Sequence, residues 1–112
     1  MRKALVAAGW AWAGAIVWLS LTPAPPRPDF SPSDKLDHLL GYGLLMFWFC
    51  QLYPGTRTRV AYATLFIAIG VALEYLQGHF GYRTYDVFDM YANALGVLLG
   101  WLFALVLRIK TA

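Results

Sequence analysis

Residues 83–96, RTYDVFDMYANALG, place an arginine, two aspartates and an asparagine at the head of a segment that then runs apolar towards the end of the chain. A held guanidinium such as Arg83 forks onto carboxylates or phosphates. Asp86 and Asp89 have the spacing of an N-cap and a third helical position, where negative charge complements the helix dipole. Asp89, Asn93, Gly96 and Gly100 follow at steps of four, three and four, so a helix puts them on one stripe. An amide one turn inside an apolar helix wants a partner on another helix, and Gly96-x-x-x-Gly100 lets a neighbouring backbone come close for helix packing.

Two further segments carry polar groups of the same kind. Asp34, Lys35, Asp37 and His38 open one apolar run, with Tyr42 one turn beyond His38 on the same face. Glu74 and Gln77 close another. Capping accounts for Asp34 and for one of Asp86 and Asp89. It does not account for Glu74, an anion at a helix C-terminus, where the dipole disfavours it. A carboxylate in hydrocarbon costs about 2.5–3.5 kcal/mol on insertion scales, so Glu74 needs a partner, and Arg83 and Lys35 are the cations at that level. Counting about 1.5 Å per residue from the helix ends sets Glu74 and Asn93 at matching depths. The expected binding cluster is Asp34, Lys35, His38, Tyr42, Glu74, Gln77, Arg83, Asp86, Asp89 and Asn93, with no catalytic residue assigned and no dedicated metal site. The competing structural reading is a polar network that only locks helices together.

The elements that must hold these groups follow from composition. The 112 residues are 60% hydrophobic and 13% charged, against about 25% charged in a soluble domain. Four apolar runs, Ala4–Leu21, Leu36–Tyr53, Val60–Gly78 and Met90–Leu107, each approach the roughly 20 residues a helix needs to cross a bilayer. The fold expected is all-α, an integral membrane bundle of four transmembrane helices in one domain over residues 1–112. The basic start is read as an uncleaved first helix, since no small-residue cleavage site follows. LTPAPPRPDFSPSDK holds five of the six prolines and reads as an extended connector, closed by the capping box Ser31-Pro32-Ser33-Asp34. YPGTRTR and GHFGYRTY read as tight turns between antiparallel neighbours.

Four spans put Arg2, Lys3, Arg57, Arg59, Arg108 and Lys110 on one side and all six acids on the other. The positive-inside rule then makes both termini cytoplasmic, with the polar cluster facing outward from a multi-pass protein of the cytoplasmic (inner) membrane. Nucleic acid is not an expected partner, because the basic residues are paired anchors at helix ends and make no continuous groove. Cys50 is the only cysteine and reads as a buried thiol. His38 and His79 come from different segments without H-E-x-x-H spacing, so zinc is not indicated. No Ser-His or Cys-His arrangement supports a nucleophilic hydrolase.

DKLDHLLGYGLL and EYLQGHFGYRTYDVFDMYANALGVLLG together resemble the VanZ-like membrane proteins. Their combination of Asp-Lys-x-x-His-x-x-x-Tyr, Glu-x-x-Gln, Arg and Asp-x-x-x-Asn-x-x-Gly-x-x-x-Gly falls on Asp34, Lys35, His38, Tyr42, Glu74, Gln77, Arg83, Asp89, Asn93, Gly96 and Gly100. The resemblance covers residues 34–100. It implies a small polytopic membrane protein, and by association with the family's namesake it brings in resistance to the glycopeptide teicoplanin.

The leading expectation is a site that binds or handles a cell-envelope molecule, a lipid-linked precursor or a lipopeptide or glycopeptide antibiotic, with membrane lipids as partners and no cofactor. One alternative is an enzyme acting on lipid headgroups with a divalent metal, and Mg²⁺ enters only there. The other is a non-catalytic interaction protein.

Overall fold

The computed structural model describes residues 2–21, 32–79 and 87–108, without side-chain positions for 32–35, 77, 78 and 87. The described residues form four helices and no strand: α1 (Arg2–Leu21), α2 (Pro32–Leu52), α3 (Thr56–His79) and α4 (Val87–Val106). Each expected apolar run lies in one helix, overrunning only α2 and α4 by one residue at their C-termini. Pro32 opens α2, as expected of a residue whose missing N–H would be unpaired there anyway. The rest of the proline connector and the loop before α4 lie outside the described residues.

Three helices, α1, α3 and α4, are long and apolar enough to cross a membrane. The principal extent of the chain, 43 Å, is close to the roughly 40–45 Å of a bilayer with its headgroups. α2 does not belong to that set. Its opening turns carry Asp34, Lys35, Asp37 and His38, and it is the helix most enclosed by protein, touching α1, α3 and α4. Tyr42, Leu45, Met46, Phe49, Cys50 and Leu52 of α2 are all buried. A helix that packs against three others needs less apolar surface than one facing lipid on most sides.

α2 and α4 make the most extensive pairing, and glycine is the reason. A Cβ on Gly96 would stand 2.5 Å from the Leu39 carbonyl oxygen, and one on Gly100 would strike the Gly43 carbonyl. From the other side, a Cβ on Gly43 would meet the Gly96 carbonyl oxygen at 3.2 Å. The two backbones are therefore in contact. In a bilayer the lipid tails are as apolar as leucine, so helix docking rests on such close packing.

The other helices dock through aromatic residues. Phe49 of α2 packs against Tyr62 and Phe66 of α3, with ring centroids 4.7 and 5.2 Å away. Trp10 of α1 meets Phe49 edge-on at 5.2 Å. Trp48 donates its indole N–H to the Leu5 carbonyl at 2.9 Å, and Trp12 donates to the Gly41 carbonyl at 3.0 Å. Both indole N–H groups are thereby paired across the α1–α2 seam.

One end of the bundle is basic. Arg59 donates from Nε to the Tyr53 carbonyl at 2.9 Å and from Nη2 to the Cys50 carbonyl at 2.8 Å. Arg2 donates to the Leu52 carbonyl at 2.6 Å, with its guanidinium 5.1 Å from the Tyr53 ring centre. Two cations thus cover the last carbonyls of α2, where the helix dipole favours positive charge. Gln51 reaches the Leu107 carbonyl at the same end, so α1 starts where α2 and α4 finish. α2 and α4 run parallel, and α3 runs against both.

Candidate functional site

The polar groups meet at the opposite end. His38 lies on α2, and its Nδ1 stands 2.8 Å from Oδ1 of Asn93 on α4. An amide oxygen only accepts, so Nδ1 carries the proton and donates. Nε2 of the same ring faces Oδ2 of Asp89 at 3.9 Å. That gap is longer than a direct hydrogen bond, and it becomes an ion pair when the imidazole is protonated. One histidine ring thereby spans two residues of α4 spaced one turn apart.

Burial separates this cluster from ordinary capping. Asp89 is 1% exposed, Glu74 1%, Asn93 2% and Tyr42 3%, while the His38 side chain keeps 13%. Asp89 is in the first turn of α4, as an N-terminal acid should be, yet it faces inward. Glu74 comes from α3, one turn beyond Gly70, against which Asn93 packs. Three helices contribute, with His38 as the most accessible edge of the cluster.

The stripe read along α4 is real: Asp89, Asn93, Gly96 and Gly100 are all buried. Its lower half packs on α2 through the glycines, and its upper half holds the polar residues. The level expected for Asn93 needs correction. Its side chain lies against Gly70, where an added Cβ would be 2.9 Å from Nδ2 and 3.1 Å from the Asn93 Cβ. Gly70 is one turn below Glu74, so Asn93 sits a turn deeper than a match with Glu74 requires. The register of the α3–α4 hairpin depends on the intervening loop, which counting from helix ends does not capture.

Gly70 and Gly43 are the residues that sequence reasoning missed. Gly70 makes the space that Asn93 fills, and Gly43 is the α2 counterpart of the α4 glycine pair. A signal existed for the first, since Gly70, Glu74 and Gly78 recur every four residues on one face of α3.

Of the expected cluster, the structure brings together His38, Tyr42, Glu74, Asp89 and Asn93. The side chains of Asp34, Lys35 and Gln77, and the whole of Arg83 and Asp86, lie outside the described residues. Among the described residues, no three His, Cys, Asp or Glu side chains converge as a metal site. Cys50 is buried near the basic end, away from the cluster.

The family profile described as VanZ/LLP1 matches residues 15–108, a stretch that holds every residue of the polar cluster. The chain belongs to the VanZ/LLP1 family. It is a VanZ-like membrane protein whose described residues form four helices, three of them fit to span a bilayer. It is also 33% identical over 88 residues to an uncharacterised protein of Schizosaccharomyces pombe, in a match covering 76% of this chain. The match covers 52% of that relative, about half its length. No solved structure matches.

Proposed function

We propose that the cluster of His38, Tyr42, Glu74, Asp89 and Asn93 binds the polar head of a membrane-anchored molecule, foremost a lipid-linked cell-envelope precursor. A lipopeptide or glycopeptide antibiotic, whose resistance the family's namesake suggests, would offer the same combination of polar head and apolar anchor. The observation that supports this reading is two carboxylates and an amide buried behind a partly open histidine, at the end of the bundle away from Arg2 and Arg59. Buried ionisable groups in a membrane bundle are costly, and they mark sites more often than they stabilise folds.

The purely structural alternative has less to explain. α2 and α4 are already held by backbone contact at Gly43, Gly96 and Gly100, so the polar cluster is not needed to hold that pair together. A family with a relative in a fission yeast also favours a ligand class common to membranes generally over a specialised antibiotic. On the positive-inside rule the basic end faces the cytoplasm of the inner membrane, and the cluster opens to the outer leaflet.

The test is native mass spectrometry of the protein released from nanodiscs of its own membrane lipids, comparing wild type with Asp89→Asn at matched thermal stability. A defined adduct on the wild type that the mutant loses supports the site. Identical spectra would assign the cluster to structure alone.

A further inference from the structure

The basic end gathers cations without acids. Arg2 and Lys3 open α1, Arg57 and Arg59 lie in the first turn of α3, and Arg108 follows α4. The acids of the described helices, Asp34, Asp37, Glu74 and Asp89, all lie towards the other end. Among the described residues, no ion pair joins any of these cations to a carboxylate.

Two of the cations converge. Arg59 holds the carbonyls of Tyr53 and Cys50, while Arg2 holds that of Leu52, the neighbour of Tyr53 in the chain, and lies over the Tyr53 ring. Consecutive carbonyls thus bring two guanidinium groups to the same short turn between α2 and α3. The C-terminal end of a helix offers only about half a negative charge, less than the positive charge gathered there. Like charges held together raise each other's energy, and an anion beside them relieves it. A guanidinium has more N–H donors than these carbonyl bonds use, and Arg2 is exposed.

Depth identifies the anion. Arg2 and Lys3 begin the span Arg2–Leu21, Arg57 and Arg59 lie within about 5 Å of the start of Thr56–Leu76, and Arg108 stands just beyond Phe88–Val106. The ends of membrane spans lie in the headgroup layer, where the abundant anion is lipid phosphate. We infer that Arg2 and Arg59 hold the phosphate of an anionic phospholipid from the leaflet at the basic end, with Lys3, Arg57 and Arg108 adding attraction around it. Guanidinium groups fork onto phosphate oxygens, so a pair fixed by backbone carbonyls is already placed for that contact. The site lies at the opposite end of the bundle from the polar cluster and stands independently of the function proposed there.

The experiment uses the whole protein in nanodiscs of equal parts phosphatidylcholine and phosphatidylglycerol with the same acyl chains. Native mass spectrometry counts which lipid stays bound on release. Wild type should retain phosphatidylglycerol over phosphatidylcholine by about fivefold or more, since one basic residue near an anionic lipid is worth roughly that factor. Arg2→Gln should lower the excess by about fivefold, whereas Arg108→Gln, the same charge change outside the pair, should lower it by about twofold or less. Equal losses in the two folded variants would reduce the pair to diffuse attraction and overturn the site, as would a wild type without the excess. If Arg2→Gln does not fold, Arg2→Lys replaces it; that variant keeps the charge and gives up the fork, and an undiminished excess in it would overturn the pair. Asp89→Asn should leave the excess intact, and its loss there would move the lipid to the polar cluster. Added inorganic phosphate should not displace the lipid; displacement with phosphate bound in its place would overturn the assignment to a phospholipid.

Discussion

Nδ1 of His38 and Oδ1 of Asn93 are 2.8 Å apart across the α2–α4 seam, and this contact sets the ring so that its other nitrogen faces Asp89. Replacing Asn93 by leucine should lower stability by only roughly 0.5–2 kcal/mol, the range for one interhelical hydrogen bond. The larger effect should be on orientation. Nitrogen chemical shifts of the His38 ring in labelled protein should report a proton fixed on Nδ1 in the wild type and a mixture in Asn93→Leu. An unchanged pattern would detach the tautomer from Asn93.

Gly70 should matter through Asn93. The Cβ of Gly70→Ala would meet the Asn93 side chain at 2.9–3.3 Å, and overpacking of that order costs about 1–3 kcal/mol. The same ring shifts should move as in Asn93→Leu. Gly14→Ala is the control, because nothing lies within 4 Å of its new methyl. It should be neutral or stabilise by up to about 1 kcal/mol through helix propensity. Equal thermal shifts for the two variants would sink the packing account.

The α2–α4 glycines should tolerate alanine in a definite order. Gly100→Ala and Gly96→Ala drive a methyl into backbone carbonyls, which cannot rotate away, whereas Gly43→Ala meets its nearest atom at 3.2 Å. Losses of about 3 kcal/mol or more are expected for the first two and about 1 kcal/mol for the third. Unfolding in mixed detergent micelles ranks them. A reversed order would mean that the helices are farther apart than described.

Arg59 offers a test at the basic end. Its Nε and Nη2 serve the carbonyls of Tyr53 and Cys50 together, and a lysine has one ammonium in place of that fork. Arg59→Lys should recover only part of the roughly 1.5–3 kcal/mol lost in Arg59→Ala, by the scale of charged hydrogen bonds. Ligand retention at the far polar cluster should be unchanged in both, measured by the same mass spectrometry as for Asp89→Asn. Coupled loss of ligand would show that the two ends are not independent.

Much of this was legible in the sequence because it was written in periodicity. The helices came from apolar runs, and the α4 stripe from steps of three and four. Tyr42 and His38 shared a face as spaced. What escaped notice was relational. Glycine has no side chain to advertise a role, so Gly43 and Gly70 acquire meaning only from the residues opposite them. Hydropathy separates α2 from the other three, since the helix that carries His38 and Tyr42 touches all of them and has less need of a membrane-spanning composition. The depth of Asn93 was off by a turn because hairpin register belongs to two helices and a loop together.

The contrast between α1 and the α2–α4 pair bears on life in a bilayer of varying thickness. α1 buries only Gly9 and Ala13, whereas α2 and α4 meet backbone to backbone. Hydrophobic mismatch is accommodated by tilting, at fractions of a kcal/mol per Å. A thinner or thicker membrane should therefore tilt α1 first, against its tryptophan contacts with α2, and leave the distance between His38 and Asp89 unaltered.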